Sequence, residues 1–321
     1  MSTRRLIGAG SVVGFGVAAL MVGSPAAADT DETAPSTVDS TTVAKEVSEF
    51  EQQSAEDYWT EERMEAAEPV ELEAQEDIDS TELEQFFEQQ DAATPRVEQP
   101  QLSDGPHDPS ETPTVGKVFF SIGGDDFVCS GNLVASANQS TVATAGHCLH
   151  EGGGGAFADN FVFAPGYDNG ESEAGLWAAE ELAAPSGWTQ GGEFPDDVGF
   201  VKVAEENGQT IEQVVGTASE IGFNLERNLN YTAYGYPAAP PFNGEELISC
   251  TGTAIDDPMG STTHGIDCDM TGGSSGGPWF VDGNGPQNSV NSYGHALIPD
   301  VMFGPYFGSE AEEVYDYIAG Q

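Results

Sequence analysis

A serine between glycines is the strongest chemical signal in this 321-residue chain, in which residues 271–278 read Thr-Gly-Gly-Ser-Ser-Gly-Gly-Pro. Glycines allow a tight turn that exposes the hydroxyl of Ser275 while nearby N–H groups point at one spot. The turn could therefore supply a nucleophile and an oxyanion hole. Taken alone, a Gly/Ser run is more often a flexible loop.

A histidine and an aspartate provide the partners that a serine nucleophile needs. His147 follows a β-type run and precedes Cys148, so a disulfide could fix its backbone. Asp197 directly precedes the apolar run 198–203, and strand alternation turns it inward while Asp196 points away. We expect His147 to act as general base and Asp197 to orient it.

Three segments in this order, TAGHC, DDVGFV and GGSSGGP, resemble the catalytic motifs of chymotrypsin-like serine proteases. The stretch FVFAPGYDNG at residues 161–170 resembles the bacterial glutamyl-endopeptidase-like branch. The resemblance covers about Val115 to Ala319. It implies an all-β fold of two six-stranded antiparallel β-barrels, with the histidine and aspartate in the first and the serine in the second. It also implies a serine endopeptidase that works through an acyl-enzyme intermediate, with the oxyanion held by the N–H groups of Gly273 and Ser275.

The same resemblance identifies substrate-binding residues. Ser292, Tyr293 and Gly294 resemble the segment that pairs with an extended substrate backbone. Glutamate-specific relatives hold a Ser or Thr and a His where this chain has Met270 and Ser292, so glutamate preference is not expected. Asp269 falls where trypsin-like enzymes select Lys or Arg, although the bacterial branch also has an Asp there without that role. Pocket specificity stays open, with Arg or Lys slightly ahead of large apolar residues.

Short β-type runs separated by Gly, Pro and Asn fill residues 114–321, a pattern typical of an all-β sandwich or barrel. Only the end is predicted to be helical, over 310–319, with Ser309 as N-cap and Glu312 three residues later.

Four cysteines in a chain with a secretory signal predict two disulfides. Pairing Cys129 with Cys148 and Cys250 with Cys268 closes two short local loops, while two other pairings are formally possible. The spacing does not suit paired zinc ligands and there is no His-Glu-x-x-His motif, so zinc hydrolysis is disfavoured. We expect no metal and no cofactor.

Residues 1–28 are predicted to be a secretory signal peptide. Arg4 and Arg5 precede the apolar run 6–22, and Ser-Pro-Ala-Ala-Ala follows. A membrane anchor is the alternative, but glycines interrupt the run and acidic sequence follows it at once. We expect an extracellular protein that is not bound to a membrane.

Residues 29–112 contain 26 acidic and 3 basic residues and are interpreted as a propeptide and linker ahead of a protease domain at 113–321. The middle, 43–90, is predicted to form acidic amphipathic helix that could fold only against a partner surface. A disordered solvating tail is the alternative. Ser274 stands where many animal relatives have the aspartate that binds the new N-terminus, so removal of the propeptide should act by unblocking the cleft or releasing that terminus.

The formal net charge of −47 repels nucleic acid and anionic lipid, so neither is an expected partner. Polypeptide substrates and the chain's own propeptide are the expected partners, and a monomer is expected. An inert binding module is one rival interpretation, but all three catalytic residues are present. A serine esterase is another, but it would carry a Gly-x-Ser-x-Gly elbow and the order Ser, Asp, His.

The region 113–321 alone has 29 acidic and 3 basic residues, which predicts salt adaptation; a plain low-pI secreted protein is the alternative. Because salt screens repulsion between exposed carboxylates, the midpoint of thermal unfolding should rise between about 0.1 M and about 2 M sodium chloride. Converting Glu205, Glu206 and Glu212 to Lys should flatten this dependence. If the midpoint of thermal unfolding of the parent protein did not change with sodium chloride, the salt-adaptation hypothesis would be refuted.

Overall fold

The described residues before Val115 form several short elements. The structure, a computed structural model, describes residues 41–74 and 103–321 together with the backbone of residues 36–37. Its first elements are β1 (Ser36–Thr37), β2 (Thr42–Glu46), α1 (Glu49–Tyr58), α2 (Glu61–Ala66), β3 (Glu68–Pro69), β4 (Glu73–Ala74) and β5 (Gly105–His107).

The predicted amphipathic helix over 43–90 is therefore confirmed only at α1 and α2 as far as residue 74, and the remainder of that prediction lies outside the described residues. Residues Thr42–Glu46 form a strand instead, because they pair with the strand Trp177–Pro185 of the first barrel. Ser48 and Thr60 then accept hydrogen bonds from the first turns of α1 and α2, so each starts a new helix as an N-cap.

Six antiparallel strands between Val115 and Val203 close into a barrel. They are β6 (Val115–Ile122), β7 (Asp125–Val134), β8 (Thr141–Thr144), β9 (Asp159–Pro165), β10 (Trp177–Pro185) and β11 (Gly199–Val203). Their hydrogen-bonded order is β6-β7-β8-β11-β10-β9, and β9 returns to β6. Closure removes the free edges that an open sheet would expose. The start of β10 pairs with β9, whereas its second half, residues 181–185, pairs with β2.

The second half of the chain forms two five-stranded sheets. One contains β5, β12 (Asn230–Gly235), β13 (Leu247–Thr253), β16 (Pro278–Val281) and β17 (Gln287–Val290). The other contains β4, β14 (Ile255–Asp256), β15 (His264–Asp267), β18 (Tyr293–His295) and β19 (Ile298–Gly304). Where a second closed barrel was expected, the backbone hydrogen bonds therefore join the strands into two separate sheets. The two sheets share one apolar core, which includes Tyr231, Ile266 and Trp279.

Both disulfides follow the pairing that loop length favours. Cys129 is bonded to Cys148, 19 residues away, and Cys250 is bonded to Cys268, 18 residues away. The second disulfide joins the two sheets of the second half, because Cys250 lies in β13 and Cys268 directly follows β15.

Two further helices are α3 (Ile211–Val215) and α4 (Ser309–Ala319). Helix α4 begins one residue earlier than predicted, with Gly308 as N-cap, because the Ser309 hydroxyl donates to the Glu310 carboxylate and does not cap the helix. Its apolar face, with Val314 and Ile318, packs on the core of the first barrel. None of the helices in the described ranges is both long enough and apolar enough to cross a bilayer.

Candidate active site

His147 follows strand β8 and Asp197 precedes strand β11, so the two residues meet at one end of the first barrel. Strand β8 leads into the single helical turn Gly146–Cys148, which carries the imidazole, and Asp197 lies between a short turn and β11. His147 Nδ1 lies 2.8 Å from Asp197 Oδ2, and the backbone N–H of His147 donates to Oδ1 at 2.7 Å. One carboxylate therefore holds both the ring and the backbone of the histidine.

Burial isolates this pair from solvent. Asp197 is fully buried and His147 is 5% exposed. Asp197 Oδ2 also accepts the hydroxyl of Ser292, at 2.5 Å. Among the described residues, His147 Nε2 has no hydrogen-bond partner. The ring is thus fixed through one nitrogen, and the other is left available for proton transfer.

Gly146 and Trp188 form the wall behind the imidazole. A Cβ on Gly146 would lie 2.8 Å from the indole of Trp188 and 3.0 Å from Asp197 Oδ1, so this close approach requires glycine. The Trp188 ring packs edge-on to His147, with centroids 6.2 Å apart. The indole N–H donates to the carbonyl of His150, which fixes the ring.

Strand alternation does not separate Asp196 from Asp197, because the short helical turn Phe194–Asp196 lies there and β11 begins only at Gly199. Asp196 nevertheless lies outside this network. Its carboxylate lies against Gly187. Burial raises its pKa to about 6, and the nearby carboxylates of Glu310 and Glu193 add to the shift.

Ser275 stands on a turn that packs against the first barrel. Gly276 has φ +81°, and a Cβ there would collide with the Thr144 hydroxyl. The backbone of Ser130 in β7 donates to the carbonyl of Ser275 at 2.7 Å, and its hydroxyl donates to the carbonyl of Gly273 at 2.9 Å. Glycine at these positions therefore lets a turn of the second half lie directly on a strand of the first.

Asn291, which the sequence analysis did not single out, holds the other side of this turn. It is fully buried, and its amide donates to the carbonyls of Ser274 and Tyr234. Its side-chain oxygen accepts the indole N–H of Trp279 at 2.7 Å. An asparagine one residue before the Ser-Tyr-Gly segment carries no signal in the sequence, because its three partners lie up to 57 residues away.

A cavity of about 190 Å³ lies beside Ser275. Its walls are the two stretches predicted to bind substrate, including Asp269, Met270, Ser292, Tyr293 and Gly294, together with residues 298–302 and the side of residues 71–73.

Three of the predicted pocket side chains already contact other parts of the protein. Asp269 Oδ1 accepts the backbone N–H of Ser103 at 2.8 Å. Met270 belongs to the apolar core of the second half. The hydroxyl of Ser292 donates its hydrogen bond to Asp197 Oδ2. His295, which was not predicted, lines the cavity, and its Nε2 has no partner within the described residues.

The N-terminal segment crosses this site. The carbonyl of Val70 accepts the N–H of Gly273 at 3.1 Å, and the carbonyl of Leu72 accepts the N–H of Gly294 at 2.9 Å. Strand β4 continues this path beside β18, in parallel orientation. The N–H of Gly273, one of the two groups predicted for the oxyanion hole, is therefore already bound to the carbonyl of Val70 in the same chain.

Within the described ranges, one group of side chains lies close enough together to hold a metal ion: Cys129, His147 and Cys148. Both sulfur atoms of that group are joined in a disulfide.

Two solved structures resemble about two thirds of this chain. A thermostable serine protease, AL20, from an extremophilic microorganism is 61% identical, with a TM-score of 0.64, over 66% of this chain and 99% of that chain. The protease Anisep from Arthrobacter nicotinovorans is 48% identical, with a TM-score of 0.63, over 68% of this chain and 99% of that chain.

A glutamyl endopeptidase from Bacillus licheniformis is 27% identical over 181 residues, which are 55% of this chain and 52% of that protein. The chain thus spans about half the length of this curated relative. A solved structure of a Glu endopeptidase in complex with MPD is 19% identical with a TM-score of 0.53, a likeness in fold alone. No family model matches the chain.

Replacing Asn291 with Leu should lower the free energy of unfolding by about 2–4 kcal/mol, because two carbonyls and one indole N–H lose their buried partner. Urea unfolding followed by fluorescence measures the loss. Asn284→Leu, at an exposed turn position, is the matched control and should change stability by less than about 0.5 kcal/mol. Equal effects of the two substitutions would contradict the role given to Asn291.

Proposed function

Because this chain belongs to the bacterial chymotrypsin-like serine proteases, we propose that it is an endopeptidase that cleaves polypeptides through an acyl-enzyme on Ser275. The observation that carries the proposal is the His147–Asp197 pair, in which Nδ1 is bound and Nε2 has no partner among the described residues. The glycine-flanked serine turn lies next to this pair, because the carbonyl oxygen of Ser275 is 3.8 Å from Sγ of Cys148, the residue after His147. A binding module would have no need of this arrangement. An esterase is disfavoured because the chain order is His, Asp, Ser and the setting is β-rich.

In the proposed mechanism Ser275 Oγ attacks the carbonyl carbon of the peptide bond while His147 Nε2 accepts the hydroxyl proton. The developing oxyanion is stabilised by the N–H groups of Gly273 and Ser275. His147 returns the proton to the leaving amine, which departs and leaves the acyl group as an ester on Ser275. Water then attacks this ester with His147 again as base, releasing the carboxylic acid and restoring the serine.

Asp197 and its donors set the tautomer of the histidine. Because Asp197 Oδ2 lies 2.8 Å from Nδ1, the proton on the ring belongs on Nδ1, and Nε2 is kept as the base. Ser292 supports the catalytic pair by donating to the same carboxylate oxygen, so we assign it a positioning role.

We assign the specificity pocket to the cavity beside Ser275. Besides Glu71 and Glu73 of the proposed propeptide, the acidic residues Asp269 and Asp300 line it, which supports a basic substrate residue over an acidic one. One oxygen of Asp269 is already bound to Ser103 N–H, so a basic side chain would share that carboxylate.

Residues 1–28 and 29–112 complete the proposal as a secretion signal and a propeptide, and salt adaptation follows from the acidic surface. The contacts of Val70 and Leu72 with Gly273 and Gly294 support an inhibitory role, since they occupy groups that a substrate backbone would use. Trp59 anchors the same segment: it is 4% exposed, packs on Phe119 and donates to the carbonyl of Asn160.

In the processed form, Ser275→Ala should abolish covalent labelling by a fluorophosphonate. Asp197→Asn should lower turnover on the order of 10⁴-fold with the fold intact, because it favours the wrong imidazole tautomer. Asp196→Asn is the matched control and should retain turnover near that of the parent. If Asp196→Asn were the damaging change, the assignment of the orienting carboxylate would be wrong.

The unprocessed chain should react with the fluorophosphonate slowly, and Trp59→Ala should speed labelling by at least about tenfold, because loss of a buried Trp costs about 3–5 kcal/mol. Phe50→Ala removes an aromatic ring that is 81% exposed on α1, the helix that Trp59 caps, and should leave the rate unchanged. Equal labelling of the unprocessed and processed forms would dispose of the inhibitory propeptide.

A further inference from the structure

Lys117 carries a buried charge that the proposed mechanism does not use. Its side chain lies on β6 and is 3% exposed, and Nζ lies 3.4 Å from Glu245 Oε1. The same Nζ lies over the ring of Tyr167, 4.2 Å from its centroid, and the Tyr167 hydroxyl donates to Glu245 Oε2 at 2.9 Å. A buried cation is costly unless it is paired, so this cluster fixes Glu245 against the first barrel.

Glu245 lies in the loop 236–246, which joins β12 to β13. The residue before it, Gly244, donates its N–H to the carbonyl of Pro237 at 2.8 Å, so the two ends of the loop are hydrogen-bonded to each other. Gly244 has φ +78°, and a Cβ there would lie 2.8 Å from the Cβ of Ala238. Glycine therefore lets the fixed end of the loop pack directly on Ala238.

The first residues of the loop are bound to the serine turn. The N–H of Ala238 donates to the carbonyl of Gly272 at 2.7 Å. The Gly272–Gly273 peptide is trans, so its carbonyl and its N–H point in opposite directions, and the bond to Ala238 also sets the direction of Gly273 N–H. That N–H donates to the carbonyl of Val70 at 3.1 Å, so it faces the side of the turn on which a peptide lies.

We infer that Lys117 and Glu245 are positioning residues of the oxyanion hole, which act through the loop 236–246 to keep Gly273 N–H directed at the oxyanion. The inference rests on the proposed endopeptidase function. It extends the machinery of that reaction by a buried ion pair outside the triad, which acts through Ala238 and not by contact with the reacting atoms.

The peptide needs such support because glycines flank it on both sides. Gly272 and Gly273 have no Cβ, and Gly273 has φ +94°, so rotation of the peptide between them meets little steric resistance. Ser130 holds the following peptide, at the carbonyl of Gly273, and the hydroxyl of Ser274 donates to the carbonyl of Thr271. The direction of Gly273 N–H is therefore held from the loop, and it is already set while residues 70–74 occupy the cleft.

Fluorophosphonate labelling of the processed form tests this assignment, because attack of Ser275 on phosphorus places negative charge on the oxygen that the hole binds. The double variant Lys117→Met, Glu245→Leu removes both charges and so leaves no lone buried ion. Its maximal labelling rate should fall at least about tenfold, since loss of one hole donor costs about 10²–10³ in turnover. The fluorophosphonate concentration that gives half the maximal rate should stay near that of the parent.

The matched control for the double variant is Lys202→Met, Glu180→Leu. It removes an ion pair of the same barrel, with Nζ 2.7 Å from the carboxylate, and should keep the parent labelling rate because this pair has no link to the loop 236–246 among the described contacts.

Gly244→Ala tests the link through the loop without changing any charge. The added Cβ should push Ala238 away from Gly272 and lower the maximal labelling rate in the same way. Gly208→Ala is its matched control, because Gly208 has φ +74° and a Cβ there would meet nothing within 4 Å. The control therefore carries the same backbone strain without the contact and should keep the parent rate.

A smaller folded fraction would lower the final extent of labelling, whereas a misdirected N–H lowers the rate and leaves the final extent complete. If the double variant labels incompletely, Gly244→Ala and its control decide. Parent rates in both variants would overturn the inference, and so would a rise in the half-maximal concentration with an unchanged maximal rate. A parent chain that fluorophosphonate does not label would instead contradict the proposed function, so the two failures are distinguishable.

Discussion

The carboxylate of Asp197 accepts hydrogen bonds from both halves of the molecule: from the backbone and ring of His147 in the first barrel and from Ser292 in the second half. A fully buried carboxylate without donors would be strongly destabilising, so all three hydrogen bonds favour the packing that buries Asp197. The same packing of the two halves places Cys148, the residue after His147, 3.8 Å from the carbonyl oxygen of Ser275.

Close backbone contacts make the same alignment rigid. The serine turn lies on β7 through Ser130, and a Cβ at Gly276 would separate them. Asn291 binds the far side of the turn to β12 through the carbonyl of Tyr234. An oxyanion hole acts through N–H groups that are already in place, so a turn held from two sides suits that purpose.

The acidic composition affects the attachment of the N-terminal segment more than it affects the core. A chain with a net charge of −47 has few cations to bind one acidic segment to another. The segment uses its only two basic residues for this purpose and adds a buried Trp59.

The sequence alone determined what depends on neighbours in the chain. Glycines beside Ser275 predict a tight turn, and two short loops favour the observed disulfides. The tertiary structure decided what depends on residues far apart. Thr42–Glu46 become a strand because β10 offers them an edge, although their own pattern suggested a helix.

Asn291, Trp188 and His295 were missed for the same reason. Each is an ordinary residue until the fold surrounds it with partners or a cavity wall. The second half divides into two sheets because its ladder depends on pairings that no local pattern encodes. The contact of Val70 with Gly273 spans about two hundred residues, and only folding brings that carbonyl to that N–H group.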